Sequence, residues 1–352
     1  MKIPDQEQNK VFDATAVEGA FELAIINHSP LALFPLLRWI CLNDRLLFAV
    51  PKKGRLQQAV LDLLRGSDIQ FKRELRLDIA LVQNLPIALI FLPAADIPTF
   101  VGEGRVDIGI TGRDQVAEHE SAVPPTETTG VEEVLNLGFG KCRLQVQVPE
   151  KGGTERPEEL VGKNIATSFV NLTESFFADL EGKEQLDVTI EGGVSARKQL
   201  KTKIRYLGGS VETACALGVA DGIVDLVESG ETMRAAGLKS IATIVESTAI
   251  LIKSKHASNP SLVNLIASRI RGVITAQKFV LCQYNIPRDD LETAKSITPG
   301  KRAPTVNALD EDGWVAVSSM VEKDRIAPVM DHLTRVGAQD ILVLAISNSR
   351  TG

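Results

Sequence analysis

Between Leu46 and Gly237 the chain repeats one local design four times: a strand, a short polar loop, then the start of a helix. Residues 46–56 (LLFAVPKKGRL) run into Lys52, Lys53, Gly54 and Arg55, and residues 101–114 (VGEGRVDIGITGRD) run into Thr111-Gly112. Residues 203–212 (KIRYLGGSVE) reach Gly208-Gly209-Ser210, and residues 221–237 (DGIVDLVESGETMRAAG) reach Ser229-Gly230-Glu231-Thr232. Short apolar runs of this kind are buried strands, and parallel strands need crossovers between them. The pattern predicts an α/β architecture of mostly parallel sheets covered by helices on both faces. Four such junctions point to one ligand cleft at the strand ends rather than four unrelated turns.

The segment 221–237 is the most informative. Ile223, Val224, Leu226 and Val227 form an apolar strand that only Asp225 interrupts, and residues 233–236 read as helix stopped by Gly237. A strand, a small polar loop and a helix start aim free N–H groups at an anion, and Ser229 and Thr232 add hydroxyl donors. Acidic residues ahead of such a loop, Asp221 and Asp225, suit ribose hydroxyls or Mg²⁺. Together these features fit a 5-phosphoribosyl group, with phosphate in the loop and the diol on the carboxylates. The alternative is an ordinary turn whose Ser and Thr cap a helix. Lys52, Lys53 and Arg55 around Gly54 suit a polyphosphate, against the alternative of a solvated basic turn.

Composition excludes several classes. A chain of 352 residues, 44% hydrophobic, can bury more than one core. Its net charge of −6 argues against general nucleic-acid binding. Cys41, Cys142, Cys215 and Cys282 lack CxxC spacing and read as reduced thiols of a cytoplasmic protein. His28, His119, His256 and His332 are scattered, so neither a zinc site nor a His-based triad is expected. Residues 31–42 are too short, and interrupted by Arg38, to span a membrane, and residues 1–19 fit neither a signal nor a transit peptide. Beyond Lys278, the order strand (278–284), helix (288–297), strands (305–309 and 314–320), helix (325–336), strand (341–345) predicts a ferredoxin-like βαββαβ module.

The segments RLLFAVPKKGRL, FLPAADIPTFVGEGRVDIGITGRD, CRLQVQVP, GSVETACALGVADGIVDLVESGETMRAAGL and the closing APTV…GWVAVSSM…GAQDILVL are close, in order, to the pattern of the ATP phosphoribosyltransferases. The chain resembles the long, fungal-type form of that family from about Asp44 to its C-terminus. The resemblance implies a two-lobed catalytic core like a type II periplasmic binding protein, followed by an ACT-like regulatory domain. On that basis lobe I is expected at 44–143 and 238–270, lobe II at 144–237 and the regulatory domain at 275–352. The chain is expected to cross between lobes near 143–148 and 238–245. Residues 1–43 are an extension without assigned role, and the polar stretch 181–201 reads as a surface insertion.

The resemblance also implies the reaction. N1 of ATP attacks C1 of phosphoribosyl pyrophosphate, pyrophosphate leaves with Mg²⁺, and L-histidine inhibits the enzyme. N1 is largely unprotonated at neutral pH, so the protein's task is to align two polyanions and neutralise the leaving group. Asp225, Asp221, Lys52 and Lys53 are the expected catalytic residues. Arg55, Asp114, Arg143, Glu212, Glu228, Ser229, Gly230, Glu231 and Thr232 are the expected substrate contacts, with Mg²⁺ held mainly through substrate phosphates. Asn285, Thr305, Met320 and Asp340 match the effector positions, although relatives carry an aspartate where this chain has Asn285. Pro93-Ala94-Ala95-Asp96 stands where many bacterial relatives place an arginine, which removes one phosphate contact. A non-catalytic two-lobed binding relative is the alternative, and it would lack the acidic strand end and the SGET loop. The resemblance further implies a homo-hexamer built of dimers, in the cytoplasm, without nucleic-acid or membrane partners.

Overall fold

The computed structural model describes Leu42, residues 44–74, 77–182 and 200–350. Most of the N-terminal extension, and residues 183–199 of the expected insertion, lie outside the described residues. Where the insertion meets the described chain, the Glu181 carboxylate accepts from Lys201 N (3.0 Å), Thr202 N (2.9 Å) and Thr202 Oγ1 (2.8 Å).

The first sheet contains β1 (Leu46–Pro51), β2 (Ile79–Leu81), β3 (Ile87–Leu92), β4 (Ile108–Gly112), β5 (Val131–Asn136) and β11 (Ala249–Ser254), in the order β2-β3-β1-β4-β11-β5. The second contains β6 (Cys142–Pro149), β7 (Asn164–Thr167), β8 (Lys203–Tyr206), β9 (Gly222–Val227) and β10 (Leu238–Ser247), in the order β10-β6-β9-β7-β8. With the short β2 set aside, both sheets contain the same arrangement: the lobe's second strand, its first, its third, then the strand that arrives from the other lobe. β3-β1-β4-β11 and β8-β7-β9-β6 are the two copies. This two-lobed, doubly connected α/β core is the expected class of fold.

The sheets are mixed rather than mostly parallel. β1 pairs with β4, and β9 and β8 pair with β7, in parallel. The crossing strands come back in the opposite sense, so β11 runs antiparallel to β4 and β6 antiparallel to β9. A second correction follows from register. β6 and β10 pair along their whole lengths, from Leu238 opposite Pro149 to Ser247 opposite Cys142, within the second sheet. The crossings therefore fall between Asn136 and Cys142 and at Ser247-Thr248-Ala249, not inside 143–148 and 238–245. Backbone pairing, which local hydropathy does not encode, fixes these points.

Helices follow the strands that carry the junction loops: α1 (Gln57–Gly66) after β1, α2 (Ile97–Gly102) after β3, α3 (Arg113–Ala122) after β4 and α4 (Val170–Leu180) after β7. The short α5 (Thr213–Ala216) and α6 (Glu231–Ala235) follow β8 and β9, and α7 (Pro260–Lys278) leads out of the first lobe. Ala49, Ile97, Val101, Val116, Ile250 and Ile252 pack in one core, and Leu144, Val146, Leu160, Ile165, Phe177 and Val224 in another. Each lobe thus has its own apolar interior.

The C-terminal module comprises β12 (Phe279–Pro287), α8 (Leu291–Ile297), β13 (Thr305–Ala308), β14 (Trp314–Glu322), α9 (Ile326–Arg335) and β15 (Gln339–Ala345), with strand order β13-β14-β12-β15, all antiparallel. This is the ferredoxin-like arrangement. β12 and β14 alternate buried and half-buried residues, with Cys282, Tyr284, Ile286, Val315 and Val317 packed beneath α8 and α9. The opposite face is left half-open. Among the described residues no helix is long and apolar enough to cross a membrane, and Cys142, Cys215 and Cys282 are free thiols.

Candidate active site

β9 places Asp225 and the loop that follows it. Asp225 lies on the sheet face shared with Gln145, its partner across the strands, and with Gln147, whose Nε2 donates to Asp225 O at 3.3 Å. Val227 ends the strand, and Gly230 takes a positive φ of 77° to turn the chain into α6. A Cβ at Gly230 would meet only the movable tip of Arg234, so the positive φ is what calls for glycine here. Arg234 Nη2 also donates to Ser229 O at 3.3 Å, and Glu231 N to Ser229 Oγ at 3.4 Å, so the loop is held by its own atoms.

A cleft of about 270 Å³ opens over this loop. Asp225, Glu228, Ser229, Gly230, Glu231 and Thr232 line it from β9 and α6, Glu212 from the start of α5, and Arg55 from the β1 loop of the first lobe. Gln147 and Met233 line it as well, and the sequence reading missed both. Gln147 had a signal, a polar residue inside an apolar strand that is 2% exposed once folded. Burial raises the Asp225 carboxyl above the ordinary value, the hydrogen bond from Leu226 N (2.8 Å) offsets part of this, and the negative charge of Glu212 adds to the rise.

Arg55 joins the lobes. Its Nη1 donates to Gly140 O (2.7 Å) and Glu228 Oε1 (3.2 Å), and its Nη2 to Cys142 Sγ (3.1 Å) and Asp114 Oδ1 (3.4 Å). Asp114 is 1% exposed. Ser247 Oγ accepts from Asp114 N at 2.9 Å and donates to the Asp114 carboxylate, while Gln115 Nε2 donates to Oδ2 at 3.0 Å. A Cβ at Gly112 would overlap the Asp114 carboxylate, which explains the glycine of the ITGRD segment. Burial pushes the Cys142 thiol up, so it meets Arg55 as a neutral acceptor. Ser247 and Cys142 stand opposite each other in the crossing strands and were not singled out from sequence.

Four expected residues lie elsewhere. Asp221 precedes β9 at the strand's far end, where its Oδ2 accepts from Asn164 N (2.9 Å) and Nδ2 (3.3 Å). Six residue steps of strand separate it from Val227, about 20 Å at the usual rise. Its grouping with the phosphate loop is therefore corrected, because proximity in sequence along a strand is separation in space. Lys52 and Lys53 are exposed and do not line the cleft, and Lys52 Nζ pairs with Asp78 Oδ2 at 2.7 Å. Arg143 stands opposite Val227, on the sheet face of Gln145 and Gln147, but is exposed and does not line the cleft either.

In the C-terminal module Asn285, Ala316, Ser318 and Met320 occupy the half-open face, and Thr305 joins them opposite Ser318. Asn285 Nδ2 donates to Asp340 Oδ2 at 3.0 Å, and Asp340 has a φ of 48°. The structure thus brings the four effector candidates to one sheet face and its edge.

The fold and the cleft define a two-lobed α/β protein with a polar interlobe site and an appended small-domain module. Residues 93–272 match the family described as "HisG: ATP phosphoribosyltransferase", and residues 276–348 match "HisG, C-terminal domain". An ATP phosphoribosyltransferase of Yarrowia lipolytica is 60% identical over 88% of this chain and 98% of its own length. That of Saccharomyces cerevisiae is 54% identical over the same shares. Among solved structures, the ATP phosphoribosyl transferase (HisG:HisZ) complex from Thermotoga maritima matches at 24% identity and a TM-score of 0.49, over 64% of this chain and 98% of that one. The chain belongs to the ATP phosphoribosyltransferase family. It is an enzyme of the first step of histidine biosynthesis.

Proposed function

We propose that the cleft over β9 is where the 5-phosphoribosyl group passes from phosphoribosyl pyrophosphate to N1 of ATP, with each lining residue in a definite role. The 5-phosphate rests on the N–H and hydroxyl groups of Ser229, Gly230, Glu231 and Thr232. Asp225 and Glu228 face the ribose, and the Asp225 carboxylate favours positive charge building at C1 as pyrophosphate departs. Glu212 adds to the same negative field.

Arg55 and Asp114 carry the first lobe's share. The Arg55–Glu228 pair is partly exposed, 25% and 51%, and such pairs contribute little, so a polyphosphate can take Arg55 from it. Lys52 and Lys53, three and two residues upstream of Arg55, steer and neutralise pyrophosphate, because the exposed Lys52–Asp78 pair is equally easy to displace. Arg143 assists from the same sheet face as Asp225.

Glu212, Asp225 and Glu228 are oxygen donors of the kind a hard Mg²⁺ ion takes. No group of three or more His, Cys, Asp or Glu among the described residues forms a ready-made cage, so substrate phosphates complete the coordination. When bound, Mg²⁺ supplies charge neutralisation for the leaving pyrophosphate. The residues themselves hold the sugar, align N1 with C1 and exclude water.

The half-open sheet face of the C-terminal module binds L-histidine. Asp340, held by Asn285, supplies the carboxylate for ammonium in place of the aspartate that relatives carry. The enzyme works in the cytoplasm as a hexamer built of dimers. The observation that carries the catalytic reading is Asp225 raised by burial beside Glu212, above a glycine-turned loop with two hydroxyls. Mixing the protein with ATP, phosphoribosyl pyrophosphate and Mg²⁺ tests it: stoichiometric pyrophosphate and phosphoribosyl-ATP are expected. Binding of both substrates without pyrophosphate would favour the non-catalytic alternative.

A further inference from the structure

The N-terminus of α4 has no cap of its own. The residue before it is Phe169, which offers no side-chain acceptor, and the first N–H groups of a helix have no partner within the helix. Two of them are satisfied from the other lobe. Glu118 Oε1 accepts from Asn171 N (2.8 Å) and Asn171 Nδ2 (2.8 Å), and Oε2 accepts from Leu172 N (2.9 Å). A carboxylate at a helix N-terminus also meets the positive end of the helix dipole.

Glu118 sits one turn beyond Asp114 on α3 and therefore on the same helix face. The first turn of α3 is fixed to the second crossing through Ser247. α4 begins three residues after Thr167, whose hydroxyl donates to Val224 O at 2.8 Å, next to Asp225. One short helix thus carries a cleft carboxylate at its start and, one turn later, the acceptor that grips the opposite lobe beside β9. Of the other side-chain bridges, Asp114–Ser247 and Arg55–Cys142 lie at the crossing itself and Arg55–Glu228 is one that incoming phosphate takes apart, whereas Glu118 reaches a helix outside the crossing strands and touches only backbone and an amide.

We propose that Glu118 is a positioning residue, an interlobe latch that holds the two halves of the cleft at working distance before and during substrate binding. It touches no reacting atom. Its loss populates an open cleft, and closing that cleft then draws on the binding of both substrates, so affinity falls by the factor by which the closed population falls. This inference rests on the cleft being the substrate site.

The test uses the full chain carrying Glu118→Ala, and the isosteric Glu118→Gln in case the first variant fails to fold. Gln keeps the shape but turns an amide donor toward an N–H. The KM values for ATP and phosphoribosyl pyrophosphate should rise together, about 10-fold, with kcat within about 3-fold. Amide exchange across residues 170–172 should quicken, and the substrate-free radius of gyration should increase until both substrates are added. Asn171→Ala, which keeps both backbone donors, should stay near wild type. Faster exchange with unchanged KM and scattering would reduce Glu118 to a local cap and overturn the latch. A fall in kcat at unchanged KM would overturn it equally. Wild-type protein without turnover would count against the cleft as substrate site, while exchange and scattering still read the latch.

Discussion

Replacing Asp225 by Asn removes one charge with little change in volume, and two independent consequences follow. The first is catalytic. At about 5 Å and an effective dielectric constant near 20, two unit charges interact by about 3.3 kcal/mol. A transition state carrying most of a unit charge at C1 keeps about 2.7 kcal/mol of that, roughly a hundredfold in rate. The second concerns stability. Burial raises the folded-state pKa of Asp225, so folding favours its protonated form. Ionised Asp225 therefore lowers stability at pH values above the folded pKa, and that loss is recovered as pH falls through it. Asp225→Asn should turn over at least ~100-fold more slowly yet melt at or above the wild-type temperature at neutral pH, with the gap closing on acidification. The acid limb of the pH–rate profile, displaced above the ordinary carboxylate range in the wild type, should vanish in the variant. Pyrophosphate release and thermal melting across pH measure these effects. Near-wild-type turnover in a folded variant would remove Asp225 from the mechanism, and a lower melting temperature would refute the burial argument.

Replacing Lys52 and Lys53 together with Ala should raise the KM for phosphoribosyl pyrophosphate several-fold to ~10-fold and lower kcat, with stability changed by no more than ~1 kcal/mol because the Lys52–Asp78 pair is exposed. Kinetics unchanged at every ionic strength would make them a solvated turn. Thr305→Tyr should crowd the open face of the C-terminal module and abolish inhibition by L-histidine without altering uninhibited turnover. Full inhibition, with binding confirmed by calorimetry, would show that the effector lies elsewhere. A Cβ at Gly272 on α7 would overlap Ser349 O, and Asn348 Nδ2 donates to Gly66 O at 2.9 Å, so the C-terminal segment lies across this glycine. Gly272→Ala should cost about 1–2 kcal/mol in urea unfolding of the full chain, but stabilise by about 0.5–1 kcal/mol once residues 348–352 are deleted. An equal cost in both backgrounds would refute that packing.

The sequence by itself determined the local elements and their chemistry. Apolar runs ending in small or charged loops located β1, β4 and β9, the edge strand β8 was marked by the Gly208-Gly209-Ser210 turn after it, and the βαββαβ order of the last 75 or so residues follows from period and glycine stops. The loop at 229–232 was legible because a turn into a helix needs Gly230 in the left-handed region, and because Ser and Thr beside it leave few other uses. Register and lobe packing decided the rest. They sent Asp221 to the far end of β9, turned Lys52 toward Asp78, and moved the interlobe crossings to the ends of β6 and β10. They brought Gln147 into the cleft wall, set Ser247 and Cys142 around Asp114 and Arg55, and laid Glu118 on a helix more than 50 positions away. Hydropathy and turn chemistry act over a few residues, so they specify what each segment becomes. Which side chains meet is set by strand pairing and by the closure of one lobe on the other, and no local pattern carries that information.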